Sequence, residues 1–221
     1  MALISRKIHY CWFGKNKKSK LIKKCIKTWH DKLPGYEIIE WNESNFDINA
    51  VPYVLEAYQQ KKWAFVTDYV RLWAIHNFGG IYLDTDVEVF QDLSLFLDDS
   101  FFTGFENYAD KLSPVTAVMG AQAGHPLVQN LLSDYADLHF INKDGSLNLE
   151  TNTRKITQSL IEKYGIDADQ DVHQSAADGI NIYPSDYFCN RSGRSFAMHH
   201  FDGSWLPRNQ KIKRIFKGLV R

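Results

Sequence analysis

Apolar and polar positions alternate along this chain in two rhythms, and each predicts an element. "LISRKIHYCWFG" reads as a first strand ending at Gly14. In "KSKLIKKCIKTWHDKL", Leu21, Ile22, Cys25, Ile26 and Trp29 share one face, the spacing of an amphipathic helix, and Pro34-Gly35 stops it. "YEIIEW" is a second strand, and "PYVLEAYQQ" a short helix with Pro52 at its start. "WAFVTDYVRLWAIHNF" is apolar on most sides, a buried helix that Gly79-Gly80 ends as a C-cap. "IYLDTDVEVF" follows as one strand, and "FFTGFE" and "VTAVMGA" as two more. Helices are expected over 126–139 and 153–164, with late strands at "INIYP" and "FAMHHF". The tail "PRNQKIKRIFKGLVR" sets Ile212, Ile215, Phe216 and Leu219 on one side of a helix. No internal repeat or low-complexity linker interrupts this order. Strands alternating with helices give an α/β class. A length of 221 residues gives one domain over 1–207, with a basic amphipathic tail over 208–221.

Composition changes little in that picture: 44% hydrophobic and 24% charged is ordinary globular usage. No apolar run approaches the roughly 18 residues of a spanning helix. The start "MALISRKIHYCWFG" does not read as a secretory leader. Cys11, Cys25 and Cys189 are odd in number and form no CxxC, which fits a reducing, cytoplasmic setting. Charge adds more. The formal net charge is zero, but residues 6–24 and 205–221 are basic with no acid, while 84–110 are acidic with no Lys or Arg. Basic ends suit an anionic surface or substrate, and an acidic middle suits a cation.

The candidate chemistry centres on "GGIYLDTDVEV". Read as a strand, it aims Asp84 and Asp86 the same way, at its carboxyl end, where open α/β sheets bind ligands. Alone, such a pair reads equally as turn-forming or N-capping residues. A calcium loop needs Gly at its sixth position, where Val89 stands. A metal-dependent phosphatase of the DxDx[TV] kind is mismatched by Glu88. A metal bridging a diphosphate remains, since Mg²⁺ and Mn²⁺ prefer carboxylates plus substrate phosphates. Asp68 and Arg71 lie three apart on an otherwise apolar helix, and a buried ion pair there calls for a polar ligand such as sugar hydroxyls.

In order along the chain, "IHYCWFG", "AFVTDYVRLWAIHNFGGIYLDTDVEVF", "MGAQAGHP" and "HHFDGSW" resemble glycosyltransferase family 32 over roughly residues 6–206. That family includes mannosyltransferases and bacterial capsule and exopolysaccharide enzymes, and is similar to the glucosylating domain of large clostridial toxins. The resemblance implies a GT-A fold, a Rossmann-like sheet binding a nucleotide-sugar, with Mn²⁺ or Mg²⁺ at a DxD motif. It implies a catalytic set of Asp68, Arg71, Asp84 and Asp86: Asp86 ligates the metal, Asp84 meets ribose, sugar or metal-bound water, and Asp68 and Arg71 contact the donor sugar. Trp12 would stack on the nucleobase, with Asn42 beside it. Adjacent histidines on a strand face opposite ways, so at most one of His199 and His200 points into the site. The family pattern selects His200 as third metal ligand, with Ser204 and Trp205 closing over the diphosphate. Asn152 and Thr153 correspond to contacts with the donor sugar, and Glu106 and Asn107 lie where the acceptor enters. Family members retain anomeric configuration.

The implied partners are a nucleotide-sugar donor, read as a UDP-sugar, and a glycan or lipid-linked acceptor, with no nucleic acid. The basic tail reads either as a contact with anionic membrane at its inner face or as a capping helix with a solvated face. A non-catalytic carbohydrate- or nucleotide-binding module of the same fold is the competing reading.

Overall fold

The computed structural model describes residues 2–108, 111–115 and 117–203. The first strand, β1 (Lys7–Cys11), is almost wholly buried, as a parallel strand covered on both faces must be. The chain leaves through α1 (Lys20–Lys32), whose N-cap Ser19 Oγ accepts from the Ile22 N–H and whose Ile22, Cys25 and Trp29 face inward. Strand β2 (Glu37–Trp41) then pairs parallel to β1. Helix α2 (Pro52–Gln59), with Pro52 in its first turn, leads into α3 (Trp63–Phe78). Burial on most sides of α3 explains its continuous apolar run, and makes Asp68 within it conspicuous.

Gly79 and Gly80 both hold positive φ and turn the chain into β3 (Gly80–Leu83), parallel to β1 on the side away from β2. A Cβ on Gly80 would meet the Lys7 carbonyl oxygen at 2.7 Å, so only glycine fits. The later strands are β4 (Val87–Val89), β5 (Phe101–Gly104), β6 (Glu106–Tyr108), β7 (Lys111–Ser113), β8 (Val118–Ala121), β9 (Gln174–Ala176), β10 (Ile180–Tyr183) and β11 (Ala197–His199). The helices are α4 (Pro126–Ser133), α5 (Asn152–Tyr164) and α6 (Ser185–Phe188). The main sheet runs β2-β1-β3-β8-β5-β10-β9, with β8 and β9 opposed to the other strands. One core cluster, including Val66, Val70 and Ile75 of α3, covers one face. The other, built on Trp29, Phe96, Phe102 and Phe188, covers the opposite face.

Three expectations change. The strand over 81–90 is two strands in two sheets. Asp84-Thr85-Asp86 forms a turn closed by the Val87 N–H on the Asp84 carbonyl (3.0 Å), because Asp is disfavoured in strand ladders and favoured in turns. Beyond it, β4 pairs antiparallel with β11, Val87 opposite His199. The strand over "FFTGFE" breaks at Phe105, so Glu106 opens the β6–β7 hairpin. Helix α4 stops at Ser133, well short of 139, while β9 and α6 are additional elements. The basic tail lies outside the described residues.

Candidate active site

From β1 the chain passes to β2 on one side and then to β3 on the other, so the carboxyl ends of β1 and β3 mark a topological switch point. A cleft of about 530 Å³ opens there. Asp68 and Arg71 reach it from α3, Asp84 and Asp86 from the turn after β3, Glu106 from β6, and His199 from β11.

Arg71 is the inner hinge of the cluster. Its Nη2 lies 3.1 Å from Asp84 Oδ1 and 3.7 Å from Asp68 Oδ1, and its guanidinium covers the Tyr82 ring at 4.6 Å. Burial works against that charge, but Asp84, Tyr82 and Asp68 hold it firmly protonated. Asp68 is buried, and burial pushes its carboxyl up to about 6 while Arg71 pulls it down. Asn152, at the start of α5, clamps Asp68 twice: its backbone N–H donates to Oδ2 (3.1 Å) and its Nδ2 to the carbonyl (2.7 Å). Asn152 is thereby a buried support for Asp68, while its neighbour Thr153 lines the cleft.

The outer half is built on Asp86. Its Oδ2 accepts from the Asp202 N–H (2.8 Å), and its Oδ1 lies 3.4 Å from His199 Nε2. His199 Nδ1 in turn lies 3.5 Å from Glu106 Oε2, without hydrogen-bond alignment, and is buried with no bonding partner. Burial works against a charged His199, yet Asp86 and Glu106 raise it to about 10. Asp86, which burial alone would raise, is held below the usual carboxylate range by His199 and the Asp202 amide.

Of the two adjacent histidines, the one that faces this cleft is His199. His200 turns away from the cleft and bonds Glu88 (2.8 Å), because β11 alternates and its pairing with β4 puts His199 beside the Asp86 turn. Trp12 borders the cleft at the end of β1, its Nε1 donating to the Asn16 carbonyl (2.7 Å). Asn42 does not line this cleft: its amide is engaged by Ser44 and Glu40 within its own turn, and together with Trp12 it lines a smaller pocket of about 310 Å³. Asn107 alternates with Glu106 on β6 and does not line the cleft. Ser204 and Trp205 lie outside the described residues. Phe201, its ring packed at a tilt against His199 at 3.9 Å between centroids, is a cleft residue that motif reading passed over.

Among the described residues, no three His, Cys, Asp or Glu side chains converge as a ready metal cage. The donor set still fits a substrate-borne Mg²⁺ or Mn²⁺, which takes one or two carboxylates and completes its shell with phosphates and water. Asp84 and Asp86 supply hard oxygens, and the unpartnered His199 Nδ1 marks an imidazole whose bonding is incomplete. No helix among the described residues is long and apolar enough to cross a membrane.

Comparison with known proteins bears on this arrangement. Residues 19–103 match the family model for a glycosyltransferase sugar-binding region containing a DXD motif. The PaToxG glycosyltransferase superposes with a TM-score of 0.53 at 18% identity, over 72% of this chain and 70% of its own. A glycosyltransferase involved in the glycosylation of the major capsid of PBCV-1 superposes with a TM-score of 0.50 at 11% identity, over 95% of this chain and 98% of its own. No curated protein matches the sequence. At these identities the structural likeness carries the fold, and the fold is of the GT-A type.

Proposed function

We propose that this protein is a retaining, divalent-metal-dependent glycosyltransferase of family 32, akin to the toxin glucosyltransferases. It moves a hexose from a nucleotide-sugar, taken as a UDP-sugar, to a glycan or lipid-linked oligosaccharide in surface-polysaccharide synthesis. The observation that carries this reading is the convergence of Asp68, Arg71, Asp84 and Asp86 in one cleft at the switch point, within the matched DXD region.

Each residue then has a task. Trp12 stacks on the base at the inner end. Arg71 donates to hydroxyl or phosphate oxygens of the donor, and Asp68, fixed by Asn152, accepts from a sugar hydroxyl. Thr153 borders that sugar. Asp84, Asp86 and His199, rather than His200, would hold Mn²⁺ or Mg²⁺, which when bound neutralises charge building on the leaving diphosphate. Deprotonation of His199 accompanies its use as a ligand. Glu106 orients the acceptor hydroxyl. On a front-face path the anomeric carbon's bond to phosphate breaks, its bond to the acceptor oxygen forms, and the departing phosphate takes the acceptor's proton. No protein nucleophile is needed; positioning and electrostatics carry the rate.

One catalytic domain spans 1–207 in this reading. The basic segment 208–221 provides peripheral contact with the inner face of the membrane, and its removal should weaken binding to anionic liposomes. The deciding experiment is hydrolysis of a panel of UDP- and GDP-sugars with Mn²⁺ and with chelator. Metal-dependent release of one nucleotide, abolished by Asp86→Asn, is expected. No release, with no thermal shift by UDP or GDP plus Mn²⁺, would leave a non-catalytic carbohydrate-binding module.

A further inference from the structure

Helix α1 presents two unlike faces. Ile22, Cys25 and Trp29 are buried on one, while Lys20, Lys23, Lys24 and Lys27 are exposed on the other. By helix geometry those four lysines lie within about 100° of one another around the axis, along about 10 Å of its length. The segment leading into the helix adds exposed Lys15 and Lys17. Lys24 meets Glu88 and Lys27 meets Asp31, but Lys15, Lys17, Lys20 and Lys23 make no ion pair among the described residues.

The fold gains nothing from this face. The first turn of α1 holds Lys20 and Lys23 and no acid, although the helix dipole favours acids there and disfavours cations. Lys20 stands three and four residues from Lys23 and Lys24, and Lys27 stands at the same spacings from Lys24 and Lys23, so like charges repel along the whole stripe. The first thirty residues contain no Asp or Glu to relieve it. A face that costs stability in the free chain calls for an anionic partner.

The chain's own tail does not qualify, because residues 205–221 are basic with no acid. The type of cation narrows the choice further. Residues 15–27 hold seven lysines and no arginine. Lysine is a hydrated point charge without the planar fork that arginine offers to a discrete phosphate or carboxylate, so the stripe suits a diffuse sheet of negative charge.

We infer that the lysine face of α1 docks on an anionic lipid bilayer. Asn16, Lys17, Ser19 and Ile22 border the cleft, so the docked face lies beside the cleft's rim and sets how the cleft meets the lipid surface. This docking depends on neither the chemistry of the cleft nor the basic tail.

The test is co-sedimentation of the full chain with vesicles of phosphatidylcholine alone, or with about 30% phosphatidylserine or phosphatidylglycerol. Binding should need the anionic lipid and weaken as salt is raised. Lys20→Gln with Lys23→Gln should weaken it about thirtyfold, about fivefold for each lysine. Lys20→Glu with Lys23→Glu should weaken it further and melt no lower than the wild type, because acids in the first turn complement the dipole. Lys143→Glu with Lys163→Glu, two exposed positions beside the core cluster on the other face of the sheet, should change binding less than about twofold. Equal loss in that control, or equal binding to phosphatidylcholine alone, overturns the docking face. So does binding that falls only on removal of residues 208–221, or capture of a labelled single-stranded oligonucleotide in place of vesicles. A chain that hydrolyses no nucleotide-sugar leaves these outcomes as they stand.

Discussion

Asp68 places an acid inside the core, and its cost can be read from stability. It is 6% exposed, and burial lifts its pKa to about 6 from a usual 3.8, against the pull of Arg71 and the Asn152 amide. A group whose folded pKa is raised favours the fold while protonated, below its unfolded pKa, and that stability is lost as pH climbs through the folded value. At roughly 1.4 kcal/mol per pH unit, the loss between the usual value and about 6 amounts to about 3 kcal/mol at neutral pH. Asp68→Asn removes the charge and keeps an oxygen for the Asn152 N–H, while Arg71 keeps Asp84 at 3.1 Å. An amide nitrogen left without a partner takes back about 1 kcal/mol or more, so the net gain should be about 1–2 kcal/mol. Urea denaturation at about pH 8 should therefore show Asp68→Asn more stable than the wild type, with the advantage shrinking toward about pH 4. Donor turnover should fall by at least about tenfold, the familiar exchange of activity for stability at a binding site. A variant less stable than the wild type at about pH 8, or a gap that does not narrow on acidification, would refute the reasoning.

Other outcomes follow from particular contacts. His199→Ala should lower metal-dependent nucleotide release by at least about tenfold, whereas His200→Ala, losing only its bond to Glu88, should change it less than about twofold in the same assay. Glu56 accepts from the Phe140 and Ile141 amides and meets His139; these partners outweigh burial and lower its pKa. Its contribution is present above the unfolded glutamate value and lost as pH falls through the lower folded one. Glu56→Gln should therefore cost about 1–2 kcal/mol in denaturant melts at neutral pH and progressively less in acid. Gly120→Ala would drive a Cβ to 2.2 Å from the Phe102 ring, so its thermal melt should report a loss of about 1–3 kcal/mol or a failure to fold.

Much of this architecture is legible in the sequence where one element carries its own signal. Helix α1 announces itself by apolar residues at helical spacing, α3 by a long run apolar on most sides, and Gly79-Gly80 by its position after the last apolar turn. The cluster Asp68, Arg71, Asp84 is legible because the DXD block is local in sequence. What escapes depends on pairing at a distance. Nothing in "DTDVEV" says that Val87–Val89 leaves the main sheet, since its partner Ala197–His199 lies far along the chain and is equally short. The same pairing selects His199 over His200, and alternation could not, because Phe196-Ala197-Met198 is apolar on both sides of the strand. Phe201 carries no motif; it gains meaning only from the His199 ring beside it. Asn42 serves its own turn, as an Asn after a strand readily does, a role that the sequence does not separate from ligand binding.

The bond from the Asp202 amide to Asp86 joins residues 116 positions apart. On a ribosome adding about 5–20 residues per second, the second partner emerges on the order of ten seconds after the first. In that interval the acidic turn has neither its histidine nor its amide, and the β4 edge lacks its ladder. Synthesis thus sets its own clock on competence: a nascent or prematurely terminated chain can carry the whole DXD region and still lack the closing half of the cleft.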